Sequence, residues 1–353
     1  MSEPDVLVRI DGSIGRLTLN RPKALNALTG PMCRLMLDAL VNWIDNPRVK
    51  LVMIDHAGER GFCAGGDIRM LADSGAADGA AARAFFHLEY QLNHLLYEYP
   101  KPVLAFMDGI TMGGGVGISA PAGYRVVTER TNYAMPETGI GLFPDVGGGW
   151  FLSRLPGRIG YWLALTGARL KAADCLLTGV ATHYVESAEL EALKAAVTRA
   201  PDAVQTLLVQ FESDGGPAPL LAMAASIERL FGFDTVEAIV QTLQGEDDDW
   251  AREQLKVLAG KSPQAMKVAL RQLQAGAAAT SFAENMATEY RIGSRVVRSH
   301  DFLEGVRAVI VDKDQSPRWA PAALEAVTPA LLDGIFAPLS PQEEWAPLSG
   351  GRG

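Results

Sequence analysis

The chain has 353 residues, of which 48% are hydrophobic and 21% are charged, an ordinary balance for a globular protein. This length permits one large domain with an extension, or two domains. The net charge is -9 and no dense run of Lys and Arg is present, so we expect no nucleic-acid partner. No apolar stretch reaches the roughly 18 residues of a membrane helix, so we expect no membrane partner either.

The cysteines and the first residues suggest a compartment. Cys33, Cys63 and Cys175 form no C-x-x-C pair, and such a sparse, odd set indicates a reducing environment. The opening sequence MSEPDVLVRI lacks the basic start and apolar run of a secretory signal, and its early acidic residues disfavour a transit peptide. Together these observations predict a cytoplasmic protein.

The first part of the chain predicts strands alternating with helices. Two short β-prone runs, 6–10 and 14–19, flank a turn sequence and are typical of a hairpin. Apolar residues at helical spacing predict a helix over 29–44, and an apolar run predicts a buried strand over 49–54. The following segment, 56–67, is predicted to be a loop.

The alternation continues through the middle of the chain. A second helix is predicted over 81–99, where Pro100 stops it, and core strands are predicted over 103–107 and 124–127. Residues 135–149 are rich in Pro and Gly and predict a long loop. Strands alternating with helices to about residue 185 indicate an α/β fold class.

The composition changes after about residue 187. The rest of the chain is rich in Ala and Leu and is helical in pattern, with its clearest linker at 213–219 and an irregular end from about residue 338. This change predicts two parts: residues 1–186 as the α/β core with the functional site, and residues 187–353 as a helical C-terminal region.

Two glycine-rich turns follow predicted strands. Gly65-Gly66 lies beyond one strand and its loop, and Gly113-Gly114-Gly115 follows another almost directly. Because glycine has no Cβ, its backbone can come within hydrogen-bond range of a ligand. Two N–H groups aimed at one point can stabilise negative charge that develops on an oxygen. Tight turns and close helix packing are the structural alternative, and the two explanations are evenly matched at this point.

Three carboxylates lie in apolar surroundings. Glu137 and Asp145 are eight residues apart in loop-like sequence, where carboxylates can have shifted pKa values and can activate water. Taken alone, helix capping explains them better, and Asp145 in particular suits an N-cap. Glu89 is predicted on the apolar face of the 81–99 helix, where an unpaired charge is unfavourable. Its structural alternative is a glutamate at the helix edge, paired with a base.

Sequence signatures of other chemistries are absent. The chain contains no G-x-S-x-G nucleophile elbow, no phosphate-binding loop and no G-x-G-x-x-G dinucleotide turn. The five histidines show no metal-ligand spacing. A hydrolase with this sequence would use water and carboxylates, and we expect neither a metal nor a redox cofactor.

Four segments resemble the crotonase superfamily, also called the enoyl-CoA hydratase/isomerase superfamily. They are RPKALNAL (21–28), FCAGGD (62–67), ITMGGGVG (110–117) and MPETGIGLFPDVGGG (135–149). The last segment is the most specific and is similar to the 3-hydroxyisobutyryl-CoA hydrolases. The resemblance covers most of the chain and also includes 161–185 and 261–273. It implies a crotonase-type spiral of ββα units with a helical C-terminal region.

The resemblance implies roles for five residues. Gly66 and Gly114 would supply the N–H groups of an oxyanion hole, and Glu137 would be the main catalytic carboxylate. Asp145 would hold water or the substrate hydroxyl beside it, and Glu89 would contact substrate; Gly114, Glu137 and Asp145 would bind substrate as well. The implied reaction is hydrolysis of a short 3-hydroxyacyl-CoA, 3-hydroxyisobutyryl-CoA in valine catabolism. Coenzyme A is then part of the substrate and not a separate cofactor.

One position departs from the hydratases of the superfamily. A typical hydratase has a second catalytic glutamate three residues after its oxyanion glycine, where this chain has Gly117. The departure disfavours addition of water to a double bond. Hydration or isomerisation with Glu137 as sole base is the runner-up, and a non-catalytic acyl-CoA binding protein is the third reading. The resemblance allows a homo-oligomer without specifying one.

Overall fold

The computed structural model describes residues 3–348. Within them, eight strands are present: β1 (Val6–Asp11), β2 (Ile14–Leu19), β3 (Leu51–His56), β4 (Val103–Met107), β5 (Ile110–Met112), β6 (Tyr124–Val127), β7 (Asn132–Ala134) and β8 (His183–Tyr184). The larger sheet has the strand order β1-β2-β3-β4-β6-β8, and β5 pairs with β7 in a smaller sheet. Strands β1 and β2 are antiparallel, and every other pair is parallel.

Helices occupy most of the remaining chain. In order, they are α1 (Gly30–Ile44), α2 (Ile68–Ala76), α3 (Ala80–Tyr97), α4 (Gly114–Ser119), α5 (Gly148–Ser153), α6 (Ile159–Thr166), α7 (Ala172–Thr178), α8 (Leu190–Arg199), α9 (Val204–Phe211), α10 (Ala224–Leu230), α11 (Val236–Gln244), α12 (Asp249–Ala259), α13 (Pro263–Ala278), α14 (Phe282–Val296), α15 (His300–Val306) and α16 (Pro329–Phe336). The predicted α/β class is confirmed, and the chain beyond β8 is helical as expected.

The first three strands occur close to where the sequence predicts them. β1 and β2 pair with Asp11 opposite Ile14, which confirms the predicted hairpin. The strand predicted over 49–54 is β3, which begins two residues later. Its side chains alternate between two cores: Val52 and Ile54 join the larger one, and Leu51 and Met53 join the smaller one. A strand covered on both faces in this way contains a continuous apolar run, as residues 51–54 do in β3.

Helices cover both faces of the larger sheet, with one hydrophobic core on each face. The smaller core is completed by α8 and α9, through residues such as Leu193 and Leu208. The larger core contains side chains from both predicted parts of the chain, among them Val52 and Leu273. Helix α13 packs on α5, and α14 packs on α3. The C-terminal region therefore lies directly on the elements that carry the candidate site, and the boundary at residue 186 stays a prediction.

One helix, α2, lies between the predicted loop 56–67 and the predicted helix 81–99, where no element was predicted. Helix α2 begins immediately after Asp67, whose side chain accepts a hydrogen bond from the N–H of Met70. The helix was missed because it is short and its buried face contains Ser74 and Gly75 beside Leu71, and these two small residues do not mark an apolar helix face. None of the helices among residues 3–348 combines the length and the apolar character needed to cross a membrane.

Candidate active site

The five predicted site residues line one cavity of about 590 Å³. Its wall includes Gly66, Glu89, Gly114, Glu137 and Asp145, together with side chains that are mostly apolar. These residues come from the two glycine turns, from α3 and from the segment before α5. The structure therefore brings together four segments that are far apart in sequence, and the roles assigned to their residues remain predictions.

The two glycine turns lie against each other. The backbone has φ of 119° at Gly65 and 47° at Gly113, values in the left-handed region that favours glycine. A Cβ at Gly65 would lie 3.9 Å from the backbone nitrogen of Gly114. Among residues 3–348, neither the Gly66 N–H nor the Gly114 N–H donates to a protein acceptor. Both donors are thus available at one end of the cavity.

Gly114 sits where no other residue fits without displacement. A Cβ at this position would lie 2.7 Å from Glu89 Oε1 and 3.0 Å from Leu28 Cδ1. Both distances are well inside ordinary van der Waals contact. The absence of a side chain here is therefore what allows the Glu89 carboxylate to lie beside the second glycine turn.

Glu89 lies on the apolar face of α3, as predicted. The residue is 2% exposed, and its Oε1 has no hydrogen-bond partner among the described residues. The alternative of a glutamate paired with a base at the helix edge is therefore wrong. Burial raises the pKa of Glu89 well above its ordinary value, and the negative charge of Asp145 raises it further.

Glu137 begins a single 3₁₀ turn, Glu137–Ile140, which follows β7. The side chain is buried and its Oε2 has no hydrogen-bond partner within residues 3–348. Burial raises the pKa of Glu137 well above its ordinary range, and Asp145 raises it further. The positive charge of Lys261 opposes this rise, and burial in turn lowers the pKa of Lys261. Glu137 is thus a buried carboxyl group that lines the cavity and has one oxygen without a hydrogen-bond partner among the described residues.

Asp145 does not cap a helix, contrary to the explanation that its sequence favoured. Helix α5 has Gly147 as its N-cap, and no side chain caps it from within the turn. Asp145 is buried and instead accepts a hydrogen bond of 2.9 Å from Tyr90 Oη. Burial raises the pKa of Asp145 to about 7, although the Tyr90 hydrogen bond lowers it. The capping residue that the sequence suggested is thus a third buried carboxyl group of the cavity.

The residue after Asp145 has a strained backbone. Val146 has φ of 54°, a conformation that a β-branched residue rarely adopts. Such a conformation costs of order 1–3 kcal/mol and persists only where the surroundings enforce it. The segment that carries Asp145 is therefore held by contacts from outside itself.

Sequence reasoning missed Glu289, which provides those contacts. This residue of α14 is fully buried, and it accepts hydrogen bonds from the backbone N–H of Gly147 at 2.7 Å and of Gly149 at 2.9 Å. A signal was present in the sequence. Glu289 lies at helical spacing from Met286 and Ile292, on the apolar face of its helix, which is the pattern that identified Glu89.

Most of the chain matches a known protein family. The model of the enoyl-CoA hydratase/isomerase family matches residues 14–336. The chain belongs to this family. Among family members, it is 45% identical to the mitochondrial 3-hydroxyisobutyryl-CoA hydrolase of Gallus gallus over 96% of this chain and 90% of the relative. It is 44% identical to the corresponding human protein, over 95% of this chain and 89% of the relative.

Solved structures of the family share the fold. A carnitinyl-CoA dehydratase from Mycobacterium thermoresistibile superposes with a TM-score of 0.92 at 42% identity, covering 96% of this chain and 98% of that one. An enoyl-CoA hydratase from Rhodobacter sphaeroides gives a TM-score of 0.90, also at 42% identity, over 97% and 100%. The predicted crotonase fold is confirmed. The names of these two proteins differ from those of the hydrolases, so the residues of the site have to distinguish the reactions.

The relatives also correct the predicted location. The similar hydrolases are named as mitochondrial proteins, and this finding contradicts the cytoplasmic prediction. All three cysteines are free and buried. Free thiols indicate a reducing compartment, and this property does not distinguish the cytoplasm from other reducing compartments.

Gly117 separates this chain from a two-glutamate hydratase of the family. A Cβ here would lie 2.6 Å from Val146 Cβ and 2.8 Å from Asn93 Nδ2. Real Cβ atoms essentially never show such contacts. Asn93 is fully buried, so it has little room to move. The position that carries a second glutamate in a typical hydratase is therefore closed to any side chain unless this part of the site is rebuilt.

Proposed function

We propose that this protein hydrolyses the thioester of a short 3-hydroxyacyl-CoA, with 3-hydroxyisobutyryl-CoA as its preferred substrate. The observation that carries the proposal is the buried pair of Glu137 and Asp145 in one cavity, with Glu137 Oε2 free of any partner among residues 3–348. Family members at 43–45% identity over nearly the whole chain are named as hydrolases of this substrate.

In the proposed reaction, the thioester oxygen accepts hydrogen bonds from the N–H groups of Gly66 and Gly114. Water attacks the carbonyl carbon while Glu137 takes a proton from it, and the oxygen gains negative charge that the two donors stabilise. The C–S bond then breaks, coenzyme A leaves as a thiolate that takes up a proton, and the free acid remains. Asp145 holds the attacking water or the 3-hydroxyl group, and Glu89 contacts the substrate.

Direct attack by Glu137 on the thioester is a second route through the same geometry. It would form an acyl-enzyme anhydride that water then hydrolyses. A single turnover in water labelled with heavy oxygen separates the routes, because only direct attack can leave the label in the Glu137 side chain. Mass spectrometry of the peptide that contains Glu137 reads the result.

Two cations in the cavity wall support a substrate that carries phosphate. Arg169 and Lys261 are the basic residues among those that line the cavity. Lys261 is half-buried and, among residues 3–348, enters no ion pair within 4.0 Å. A partly desolvated cation without a fixed partner favours an anionic ligand. The phosphate groups of coenzyme A supply such charges.

The other reactions of the family fit the residues less well. Hydration with two glutamates requires a side chain at Gly117, where Val146 and Asn93 leave no room. A protein that only binds acyl-CoA has no use for buried carboxyl groups without partners, since each is unfavourable for folding. Glu89 and Glu137 both have such an oxygen among the described residues. The proposed hydrolysis uses these carboxyl groups, whereas binding alone does not require them.

A thiol-release assay over a panel of acyl-CoA thioesters tests the proposal. We expect release of free coenzyme A to be fastest with 3-hydroxyisobutyryl-CoA and slower with acyl groups that lack the 3-hydroxyl. Hydration of crotonyl-CoA is followed in parallel by the loss of enoyl absorbance. Rapid hydration without thiol release from the hydroxyacyl thioester would show that the proposed reaction is wrong.

A further inference from the structure

We infer that Glu289 is a positioning residue, which holds the backbone on both sides of Asp145 so that the Asp145 carboxyl group faces the substrate. The inference rests on the function proposed for Asp145. Glu289 itself does not line the cavity. It belongs to α14 in the helical C-terminal region, 142 residues beyond Gly147. The helical region would thus take part in catalysis without contacting the reacting atoms.

Four N–H donors converge on the two oxygens of Glu289. Gly147 N donates to Oε2 at 2.7 Å, and Gly149 N donates to Oε1 at 2.9 Å. The side-chain amides of Gln272 and Asn285 also donate to Oε1, both at 2.9 Å. These four donors are neutral, and the residue is fully buried. Glu289 therefore accepts hydrogen bonds from buried donors that would otherwise be unsatisfied in the protein interior.

The hydrogen bonds reach both sides of Asp145. Gln272, which contacts Glu289, also donates from Nε2 to the carbonyl oxygen of Pro144 at 2.6 Å. The residue before Asp145 and the residues after it are thus attached to one buried cluster. Because the backbone is fixed at Pro144 and again at Gly147, the side chain between them has little freedom to turn away from the cavity.

The conformation of this segment needs such support. Val146 and Gly147 have consecutive positive φ values of 54° and 93°. A valine does not adopt this conformation without an external constraint. Glu289 supplies the constraint at Gly147, the residue that follows the strained one. Losing it would let Val146 relax, and the relaxation would move Asp145, since the two residues share a peptide bond.

A carboxylate is the side chain that this cluster requires. Replacing Glu289 by Gln keeps the shape but turns one acceptor oxygen into a donor group, which would face other N–H donors. Glu289→Gln should therefore release Gly147 or Gly149. Displacement of a catalytic group by about 1 Å can lower the rate by about 10²-fold. Substrate binding through the remaining cavity wall should change less, so the loss should appear in kcat more than in KM.

The experiment compares Glu289→Gln with Glu289→Asp and with Asp174→Asn. Asp174 is a matched control, because it is a buried carboxyl group that accepts a backbone N–H bond, from Leu220, away from the cavity. The measurements are kcat and KM for thiol release, the thermal midpoint, and hydrogen–deuterium exchange of the segment 144–149. We expect Glu289→Gln to lower kcat about 10²-fold and to speed exchange at Gly147 and Gly149. Glu289→Asp should recover part of kcat.

The control should lose thermal stability while retaining the kcat of the unmodified enzyme. Equal kcat losses in Glu289→Gln and Asp174→Asn would overturn the inference, as would unchanged exchange in 144–149. If Glu289→Gln does not fold, the variant Gln272→Ala is measured instead, because it removes the contact to Pro144 and keeps the Glu289 carboxylate. Unchanged kcat and unchanged exchange in that variant would also overturn the inference. If the unmodified protein releases no thiol, the proposed function is refuted. The positioning of the segment by Glu289 is still tested in that case by the exchange measurement.

Discussion

Tyr90 Oη donates a hydrogen bond to Asp145 Oδ2 over 2.9 Å, and both residues are buried. Tyr90 lies on α3 immediately after Glu89, whereas Asp145 lies on the segment before α5. The bond therefore connects the helix that carries one carboxyl group of the cavity to the segment that carries another. It also lowers the pKa of Asp145, against the larger rise that burial causes.

Replacing Tyr90 by Phe should shift the pH dependence of turnover. The pKa of Asp145 is raised to about 7 by burial, and the Tyr90 hydrogen bond opposes that rise. Loss of the hydroxyl should raise the pKa of Asp145 further, so that the ionised form appears only at higher pH. We expect the acid limb of the kcat/KM profile to move to higher pH.

The matched control for this variant is Tyr99→Phe. It removes a hydroxyl that donates to the Leu40 carbonyl oxygen, outside the cavity. Its acid limb should coincide with that of the unmodified enzyme. Coincident profiles for all three proteins would show that Tyr90 does not tune Asp145.

Replacing Glu137 by Gln should remove most turnover while acyl-CoA binding survives. The amide cannot accept the proton of the attacking water, and general catalysis by a positioned side chain contributes about 10²–10⁴-fold. Binding should persist because Arg169 and Lys261, the proposed partners of the phosphate groups, are unchanged in this variant. Thiol release measures kcat, and calorimetric titration with coenzyme A measures binding. A kcat equal to that of the unmodified enzyme would remove Glu137 from the mechanism.

Replacing Gly114 by Val should lower activity more than stability. The Cβ would press against Glu89 Oε1 at 2.7 Å and displace the backbone N–H proposed for the oxyanion hole. Loss of one such donor lowers kcat about 10²–10³-fold in a well-studied protease. Gly123→Val is the matched control, since a Cβ there meets nothing within 4 Å. If kcat/KM of the Gly114 variant falls only in step with its thermal midpoint, the glycine is a packing residue.

Introducing glutamate at Gly117 should not create a hydratase. Its Cβ would overlap Val146 and Asn93, so the variant should be less stable than the unmodified chain and should not hydrate crotonyl-CoA. The thermal midpoint and the enoyl absorbance assay measure these two effects. Hydration by a variant with a normal thermal midpoint would show that the position is open and that this family member is close to a hydratase.

Removing metal ions should leave turnover unchanged. No group of three or more His, Cys, Asp or Glu side chains within residues 3–348 is arranged to hold a metal. The proposed chemistry uses carboxyl groups and backbone donors. Thiol release is measured before and after dialysis against a chelator. Activity that is lost on dialysis and restored by one added metal ion would contradict the prediction.

The sequence could predict the parts of the site that depend on local pattern. The strands before each glycine turn and the apolar face that carries Glu89 follow from residue spacing alone. The interpretation of Asp145 as a helix cap failed because a capping residue and a buried acceptor have the same local sequence. What distinguishes them is the hydroxyl of Tyr90, which the fold brings from another element.

The contacts of the C-terminal region could not be predicted in this way. Glu289 reaches Gly147 only after α13 and α14 have packed on α5 and α3, and no local rule connects residues so far apart. The charge of Lys261 near Glu137 depends on the same packing. A glutamate on an apolar helix face indicates that a polar cluster exists. It does not show where the partner donors come from.

The buried carboxyl groups of the site also couple folding to protons. A carboxyl group whose pKa is raised in the folded chain contributes stability that is complete below its ordinary pKa and is lost as the pH rises through the folded value. For Asp145 and Glu289 this window extends from ordinary values of 3.8 and 4.5 to about 7. Ionisation of these two groups therefore removes the stability that they contribute. Their contribution is largest in acid, in the protonation state least suited to attack on a thioester.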